Sequence, residues 1–320
     1  MKPVWIDFFR ALRESGVESL CLPRHFKCWG DLPQCVAVWV LVGRYAVCRG
    51  TSAGRRLGEW GGVALLGGRG GEPCSHVLAR GCGDVVEVPY APPDRPRVVV
   101  DLSLWAEHTE GEKNELVEQI LATLRAVRSV LWDGNLWLTN TPGEFLQLLS
   151  RHAPCLVHKM RIFPDTPHFE NPVVLDPEGG CLFTEEVARS HVEFIIGGIV
   201  DKERSAKGAT ARLAGKIGVE KRCRIELRGS RVGVPDRINK IAEIVLRTLS
   251  GSPLEAAILA AQAKRDRVYR LMWELQRRIV KTPDGVLAIP RQALEEANWL
   301  GAPWEEVELA VKKLKLKILT

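Results

Sequence analysis

The sequence has no apolar run long enough to cross a bilayer. The longest, "CVAVWVLVG" around Val40, falls far short of the ~20 residues a membrane helix needs. The first residues, "MKPVWIDFFRALRESG", interrupt their apolar positions with Asp7, Arg10 and Arg13. The uncharged core of a secretory signal is therefore missing. Both absences point to a cytoplasmic protein that does not engage a membrane. None of the nine cysteines (positions 21, 28, 35, 48, 74, 82, 155, 181 and 223) forms a C-x-x-C pair. A zinc site of the usual spacing is not expected, and no metal is expected. On packing grounds the cysteines read as free buried thiols. Disulfides stay open if the source is a hyperthermophile. The glycines of "RLGEWGGVALLGGRGGEP" match neither G-x-G-x-x-G nor the phosphate-loop pattern, so no nucleotide site attaches to them. There are no internal repeats and no low-complexity tract.

The chain has 320 residues, enough for two or three domains. A hydrophobic content of 46% and a charged content of 26% are those of an ordinary soluble protein. The net charge of +6 is unevenly spread. Residues 91–200 carry 9 basic and 16 acidic side chains, whereas residues 201–250 carry 13 and 6. The stretches before and after, 1–90 and 251–320, are each at +3. A basic excess that begins abruptly suits a polyanion such as nucleic acid. It is equally compatible with lysines and arginines that solvate helices.

The proline-rich "VPYAPPDRPR", 88–97, is the best domain boundary. Before it, "CVAVWVLVGRYAVC" reads as strand, and the glycine-rich stretch is unsuited to a long helix. After it, strands alternate with helices. "RVVVDLSLW" is a strand ending in Asp101, and Leu116, Ile120, Leu124, Val127 and Leu131 form one helical face. "NLWLTNTP", "NPVVLDPEGG", "HVEFIIGGIVD" and "RCRIELRG" read as further strands. "FLQLLSRH", residues 209–216 and "VPDRINKIAEIVLRTLSG" read as helices. The alternation implies a mainly parallel sheet covered on both faces. In 251–320, Ser252, Pro253 and Glu255 predict a capping box opening one long helix that ends near Pro283-Asp284-Gly285. Two short helices around "WLGAP" complete a small helical domain.

In open α/β sheets, ligands bind beyond the carboxyl ends of the strands. Four signals fall at such ends: Asp101, Asp176-Pro177, Gly197–Asp201 and "ELRGSRVGVPDR". Glycines there allow close approach to backbone and supply unpaired amides. Each alone reads as an ordinary turn; all four fall in one predicted sheet.

These residues also carry a resemblance. The stretch 98–249 resembles the SPOUT-class tRNA methyltransferases that modify N1 of the purine at position 9. It does so through "VVVDLS", "EKNELVEQI", "LWLTNTP", "VVLDPEG", "FIIGGIVDKER" and "GVPDRINKIAEIVL". The layout is similar to that of the archaeal branch: an N-terminal α+β domain (1–92), a SPOUT domain (93–250) and a C-terminal helical domain (251–320). The resemblance implies a C-terminal trefoil knot, a rare exception to unknotted topology. It implies S-adenosylmethionine as cofactor, held by the knot loops Leu175–Gly179, Gly197–Ser205 and Ile225–Arg237. The expected contacts are Leu175, Asp176, Pro177, Ile196, Gly197, Gly198, Asp201, Ile225, Leu227, Gly233, Val234 and Pro235. Gly197 and Gly198 would let the cofactor sit against backbone, and Asp201 would enter the methyl-transfer site. Asp101 and Gln119 match positions near the acceptor, although Gln119 also reads as a helix-surface amide. Lys202, Arg204, Lys207, Arg212 and Arg231 would contact the RNA, and Arg44, Arg49, Arg55, Arg56 and Arg69 could extend that surface. The implied activity is N1 methylation of purine 9 in tRNA by a monomer, with adenine favoured over guanine. The alternatives are another RNA substrate, or RNA binding without turnover.

Overall fold

In the computed structural model, residues 1–200, 207–283 and 285–319 are described. The N-terminal region opens with α1 (Val4–Glu14), whose Val4, Phe8, Phe9, Ala11 and Leu12 are buried. β1 (Ser19–Cys21) follows, then α2 (Leu32–Leu41). The stretch from Cys35 to Leu41, expected as strand, is therefore helix. Every residue from Pro33 to Trp39 is buried. A segment covered on all sides shows no 3.6-residue period, so apolar content alone could not separate helix from strand. Pro33 in the first turn is compatible with a helix start. β2 (Ala46–Trp60) and β3 (Val63–Ala79) form an antiparallel hairpin, and β3 also pairs with β1. The hairpin turns on Gly61 and Gly62, with φ of 57° and 78°. Two consecutive positive φ values suit a primed turn that matches strand twist.

The cysteines correct the free-thiol expectation. Cys21–Cys74, Cys28–Cys35, Cys48–Cys82 and Cys181–Cys223 are disulfides, and Cys155 is free and exposed. The partners lie 53, 7, 34 and 42 residues apart in sequence. The Cys181–Cys223 pair stands directly opposite in register and Cys21–Cys74 joins paired strands, whereas Cys28–Cys35 links a loop to α2; spacing alone reveals none of these.

The central region alternates as expected. Its elements are β4 (Arg97–Asp101), α3 (Glu110–Arg128), β5 (Leu136–Thr139), α4 (Gly143–His152), β6 (Arg161–Ile162) and β7 (Pro172–Leu175). They continue with β8 (Cys181–Leu182), α5 (Glu185–Ser190), β9 (Glu193–Gly197), α6 (Ala209–Lys216), β10 (Arg222–Arg224) and α7 (Ile238–Leu249). The seven strands form one sheet in the order β6-β5-β4-β9-β7-β10-β8. Every pairing in it is parallel. Side chains alternate faces along each strand. Val98, Val100, Leu138, Phe194 and Ile196 share a core with Leu116 and Ile120 of α3 and Val245 of α7. Val99, Trp137, Val174 and Ile195 pack with Leu213 and Ala214 of α6. Thr109 and Glu112 cap α3 reciprocally. β10, the last strand of this sheet in sequence, lies between the earlier β7 and β8.

The C-terminal region holds α8 (Leu254–Ala261), α9 (Lys264–Gln276), β11 (Val280–Lys281), β12 (Leu287–Pro290), α10 (Arg291–Glu296), α11 (Trp304–Lys313) and β13 (Lys317–Leu319). The expected single long helix is two. Gln262 and Ala263 have ψ of 135° and 167°, outside the helical range. The Gln262 side chain turns inward, and the Asp266 carboxylate accepts from Ala263 N at 2.9 Å to start α9. The capping box at Ser252 is also absent. Pro253 precedes the helix, Leu254 N donates to Glu185 Oε1 at 2.7 Å, and Glu255 pairs with Arg228 at 2.8 Å. Long-range partners replaced the local ones. The region is not purely helical either, because β11, β12 and β13 form a small sheet. Among the described residues no helix is long and apolar enough to cross a membrane.

Candidate active site

The carboxyl ends of β5, β4, β9 and β7 lie side by side. Asp101 pairs in register with Thr139 and Gly197, and Leu175 with Ile196. Asp101 is fully buried. Its Oδ1 accepts from Ser103 N at 3.1 Å, and its Oδ2 accepts from Thr139 Oγ1 at 2.8 Å and from Asn140 Nδ2. Its backbone oxygen accepts from Gly198 N at 2.8 Å. Both carboxylate oxygens of Asp101 are thus held by protein donors, and the residue has no exposure. It braces the ends of three strands.

The glycine pair has an internal reason as well. A Cβ on Gly198 would lie 2.7 Å from Asp101 O and 2.6 Å from Leu102 Cδ2. The backbone contact cannot yield, so glycine is required where the chain leaves β9 across the end of β4. A Cβ on Gly197 would meet Ile199 Cδ1 at 2.7 Å. Two residues further on, Val200 N donates to His108 Nε2 at 3.1 Å. His108 Nδ1 lies 3.1 Å from Leu104 O. The accepting Nε2 and the carbonyl at Nδ1 together define a neutral ring protonated at Nδ1. Asp201, Lys202 and Arg204 lie outside the described residues.

A cavity of about 560 Å³ opens beside these ends. Of the expected cofactor residues, Leu175, Asp176, Pro177, Ile225, Val234 and Pro235 line it, together with Cys223, Ser230, Arg231, Val232, Asp236 and Ile241. Ile196, Gly197, Gly198, Leu227 and Gly233 are not among its walls. Asp176 Oδ1 accepts from Glu178 N at 2.9 Å, and its Oδ2 pairs with Arg222 at 2.8 Å. Arg231, expected on the RNA, donates to Pro177 O at the cavity rim. The Cys181–Cys223 disulfide ties β8 to β10 behind that wall. A second cavity, about 570 Å³, is lined wholly by residues 271–319 and touches no end of the main sheet.

Gln119 is neither a surface amide nor a neighbour of Asp101 by hydrogen bonding. It is buried; its Oε1 accepts from Ile238 N at 3.0 Å, and its Nε2 donates to Glu115. It holds the first turn of α7, directly after the loop that lines the cavity. Lys207 and Arg212 are exposed, and Arg212 pairs with Glu107 at 2.6 Å. Sequence reasoning missed His108, Gln262 and Arg270. No local pattern marks any of them, because each acts on backbone far away in sequence.

No family model matches the chain. Over 311 residues it is 33% identical to the tRNA (adenine(9)-N1)-methyltransferase of Sulfolobus acidocaldarius, covering 96% of this chain and 97% of that protein. The chain belongs to the Trm10 family of tRNA position-9 N1-methyltransferases. A second Trm10 relative, the tRNA (guanine(9)-/adenine(9)-N1)-methyltransferase of Thermococcus kodakarensis, is 29% identical over 339 residues (98% of this chain, 89% of the relative). The crystal structure of Sulfolobus acidocaldarius Trm10 in complex with S-adenosylhomocysteine matches 98% of this chain and 100% of its own, with a TM-score of 0.74 and 30% identity.

Proposed function

We propose that this chain transfers a methyl group from S-adenosylmethionine to N1 of the purine at position 9 of tRNA, with adenine preferred. The observation that carries the reading is the cavity at the carboxyl ends of β7 and β10, beside the exit of β9 toward Asp201. Its size lies within the ~300–1,000 Å³ typical of small-molecule sites. Leu175, Ile225, Val232, Val234 and Ile241 offer apolar walls to a purine ring, and Asp176, Ser230 and Asp236 offer polar groups to a ribose. The residues present therefore fit S-adenosylmethionine, which when bound supplies an electrophilic methyl group. The adenine preference is supported by the 33%-identical relative, which is named for adenine alone; the 29%-identical one is named for both bases.

In this reading Asp201 is the catalytic carboxylate. Asp101 fixes the glycine crossing, and His108 holds Val200. Guanine N1 carries a proton, and a carboxylate there acts as general base. Adenine N1 has a free lone pair and gains positive charge on methylation, which a carboxylate stabilises electrostatically. Gln119 acts by positioning α7. Lys202, Arg204, Lys207, Arg212 and Arg231 hold RNA phosphates, Arg212 exchanging Glu107 for a phosphate oxygen. Recognition is then mainly of shape and backbone.

The reading includes a trefoil knot, three domains (1–92, 93–250 and 251–320), a monomer and a cytoplasmic location. Support for the knot comes from β10, which lies between consecutive strands β7 and β8 under their 176–180 connection. A Cβ on Gly179 in that connection would lie 2.6 Å from Arg222 O, so the two segments cross in backbone contact.

The test is Asp201→Asn with tRNA transcripts carrying A9 or G9, the product mapped by mass spectrometry. On A9 the wild-type single-turnover rate should be nearly flat from about pH 6 to 9, since an unperturbed aspartate is ionised throughout. The variant should lose on the order of 10²-fold, by analogy with removing one preorganised electrostatic partner. Full rate in the variant removes Asp201 from the mechanism. Methylation of some other RNA, or cofactor binding without turnover, would favour the alternative substrates or a non-catalytic binder.

A further inference from the structure

The cavity loop after β10 has no regular secondary structure, so its carbonyls need partners from elsewhere. Leu227 and Ser230 bridge each other, and Arg231, Val232, Val234, Pro235 and Asp236 then line the cavity. The partners for three of these carbonyls come from the C-terminal region. Arg270 of α9 is 1% exposed. Its Nη1 donates to Leu227 O at 2.7 Å and to Val232 O at 3.1 Å. Its Nε and Nη2 reach the Glu274 carboxylate at 3.0 and 2.9 Å. Trp273 and Trp299 lie 4.5 and 5.2 Å from the guanidinium. Gln262, at the break between α8 and α9, donates from Nε2 to Gly233 O at 2.7 Å. Gly233 has φ of 83°, and a Cβ there would lie 2.6 Å from Arg270 Cβ. The loop backbone therefore lies directly against the Arg270 side chain, with no room for a side chain at position 233.

We propose that Arg270, assisted by Gln262, is a positioning residue for cofactor binding, so that the C-terminal region forms the rear support of the cofactor loop. This rests on the cavity being the cofactor site. Burying a guanidinium is unfavourable unless its donors are satisfied, and a helix that only packed would be served as well by an apolar residue. Here the buried donors are spent on the loop and on the one carboxylate that orients them. The fork shape matters: a single Nη atom spans two carbonyls while the other nitrogens bind Glu274, which a lysine cannot reproduce. The clamp at Leu227, Val232 and Gly233 works with Gln119 at Ile238, so both ends of the cavity wall are fixed. Losing it should raise the cofactor dissociation constant, because a wall that must be ordered on binding lowers affinity.

The experiment is calorimetric titration of the full-length chain with S-adenosylhomocysteine, alongside thermal melting. Arg270→Met should weaken affinity by about tenfold or more, the effect of a lost charged hydrogen bond to the wall. Arg270→Lys should fall between the two. Leu275→Ala, on the same helix but away from the loop, should lower the melting temperature comparably and change affinity less than about twofold. If Arg270→Met does not fold, Gln262→Leu decides, with a several-fold loss expected. Affinity losses in the Arg270 or Gln262 variants no larger than in Leu275→Ala overturn the inference. Val234→Trp fills the cavity itself. If it abolishes binding while the Arg270 and Gln262 variants bind normally, the inference alone fails. If it leaves affinity unchanged, the cofactor placement fails and takes the inference with it.

Discussion

The two flanking regions attach to opposite ends of the same sheet. Gln34 of α2 donates to Arg128 O at 2.9 Å and Leu131 O at 2.8 Å, and Val4 N donates to Val130 O at 2.9 Å. The terminal amine of Met1 reaches Leu249 O at 2.6 Å. These acceptors lie at the carboxyl ends of α3 and α7, and both helices run against the strands. The N-terminal region therefore docks at the amino edge of the sheet, away from the cavity. On the other flank, α8 packs along α7 and brings Gln262 and Arg270 to the cavity loop at the carboxyl edge. The N-terminal region thus supplies none of the cavity's lining, whereas the C-terminal region contacts the loop that forms its wall. Substitutions at the two docking edges should separate stability from binding.

The largest stability effect should arise at the amino edge. Asp133 is fully buried and holds Arg128 through two contacts of 2.7 Å. It also accepts from Lys159 N at 2.9 Å. Asp133→Ala leaves a buried guanidinium unpaired, which costs about 3–5 kcal/mol. Denaturant unfolding should show that loss, while cofactor affinity of the remaining folded protein should stay within about twofold, well below the tenfold of ~1.4 kcal/mol. A cofactor affinity that fell in step with stability would couple the two edges and break the comparison.

A smaller effect comes from the disulfides, which sample both ends of the contrast. Cys21–Cys74 joins β1 to β3 in the N-terminal region, and Cys181–Cys223 sits behind the cavity. They close 53 and 42 residues, so chain entropy predicts similar stabilisation, about 2–4 kcal/mol each. Paired Cys→Ser variants should lose comparable stability. Only the Cys181/Cys223 variant should also weaken S-adenosylhomocysteine. Equal affinity in the two would mean that the staple does not shape the wall.

How much of this was legible in the sequence depends on whether a residue acts locally. The strands of the central sheet stand out because apolar runs such as "RVVV" and "EFIIG" are bounded by turn and helix signals, and the Trm10 motifs lie on them. α6 and α7 show amphipathic spacing, and Gly197 and Gly198 are visible as glycines at a strand end. What failed was set by distant partners. α2 has no period because the fold covers it on every side. The break at Gln262 exists because its side chain serves Gly233 O. Asp101 was visible as an acid at a strand end, but neither its burial nor its three donors could be read there. The disulfides depend on tertiary contacts, among them the register of β8 and β10 at Cys181–Cys223. Arg270 reads as one more solvated arginine on a polar helix.

The smallest expected effect is a difference in the sign of pH dependence. At the amino edge, burial lowers the pKa of His158 from its usual value, outweighing the favourable Asp133 charge, and Arg128 pushes the same way. Its Nδ1 is buried without a hydrogen-bond partner, so the ring has no acceptor waiting for a proton there. A histidine held below its unfolded pKa takes up its proton more readily once unfolded, so stability falls as pH drops below about 6.5. His76, in the N-terminal hairpin, is lowered by burial and by Arg49 and acts in the same direction. On the other flank burial raises the pKa of Asp266, against the opposing hydrogen bond from Ala263 N. A carboxyl raised in the fold binds its proton more tightly when folded, so this group favours the folded state increasingly as pH falls through its raised value. Mild acid should therefore loosen the amino edge first. Hydrogen exchange at pH 7 and at about pH 5.5, below the ordinary histidine value, should show protection lost around residues 156–160 before residues 264–276. His158→Phe should reduce that loss. Earlier loss in α9 would reverse the assignment of acid sensitivity to the amino edge.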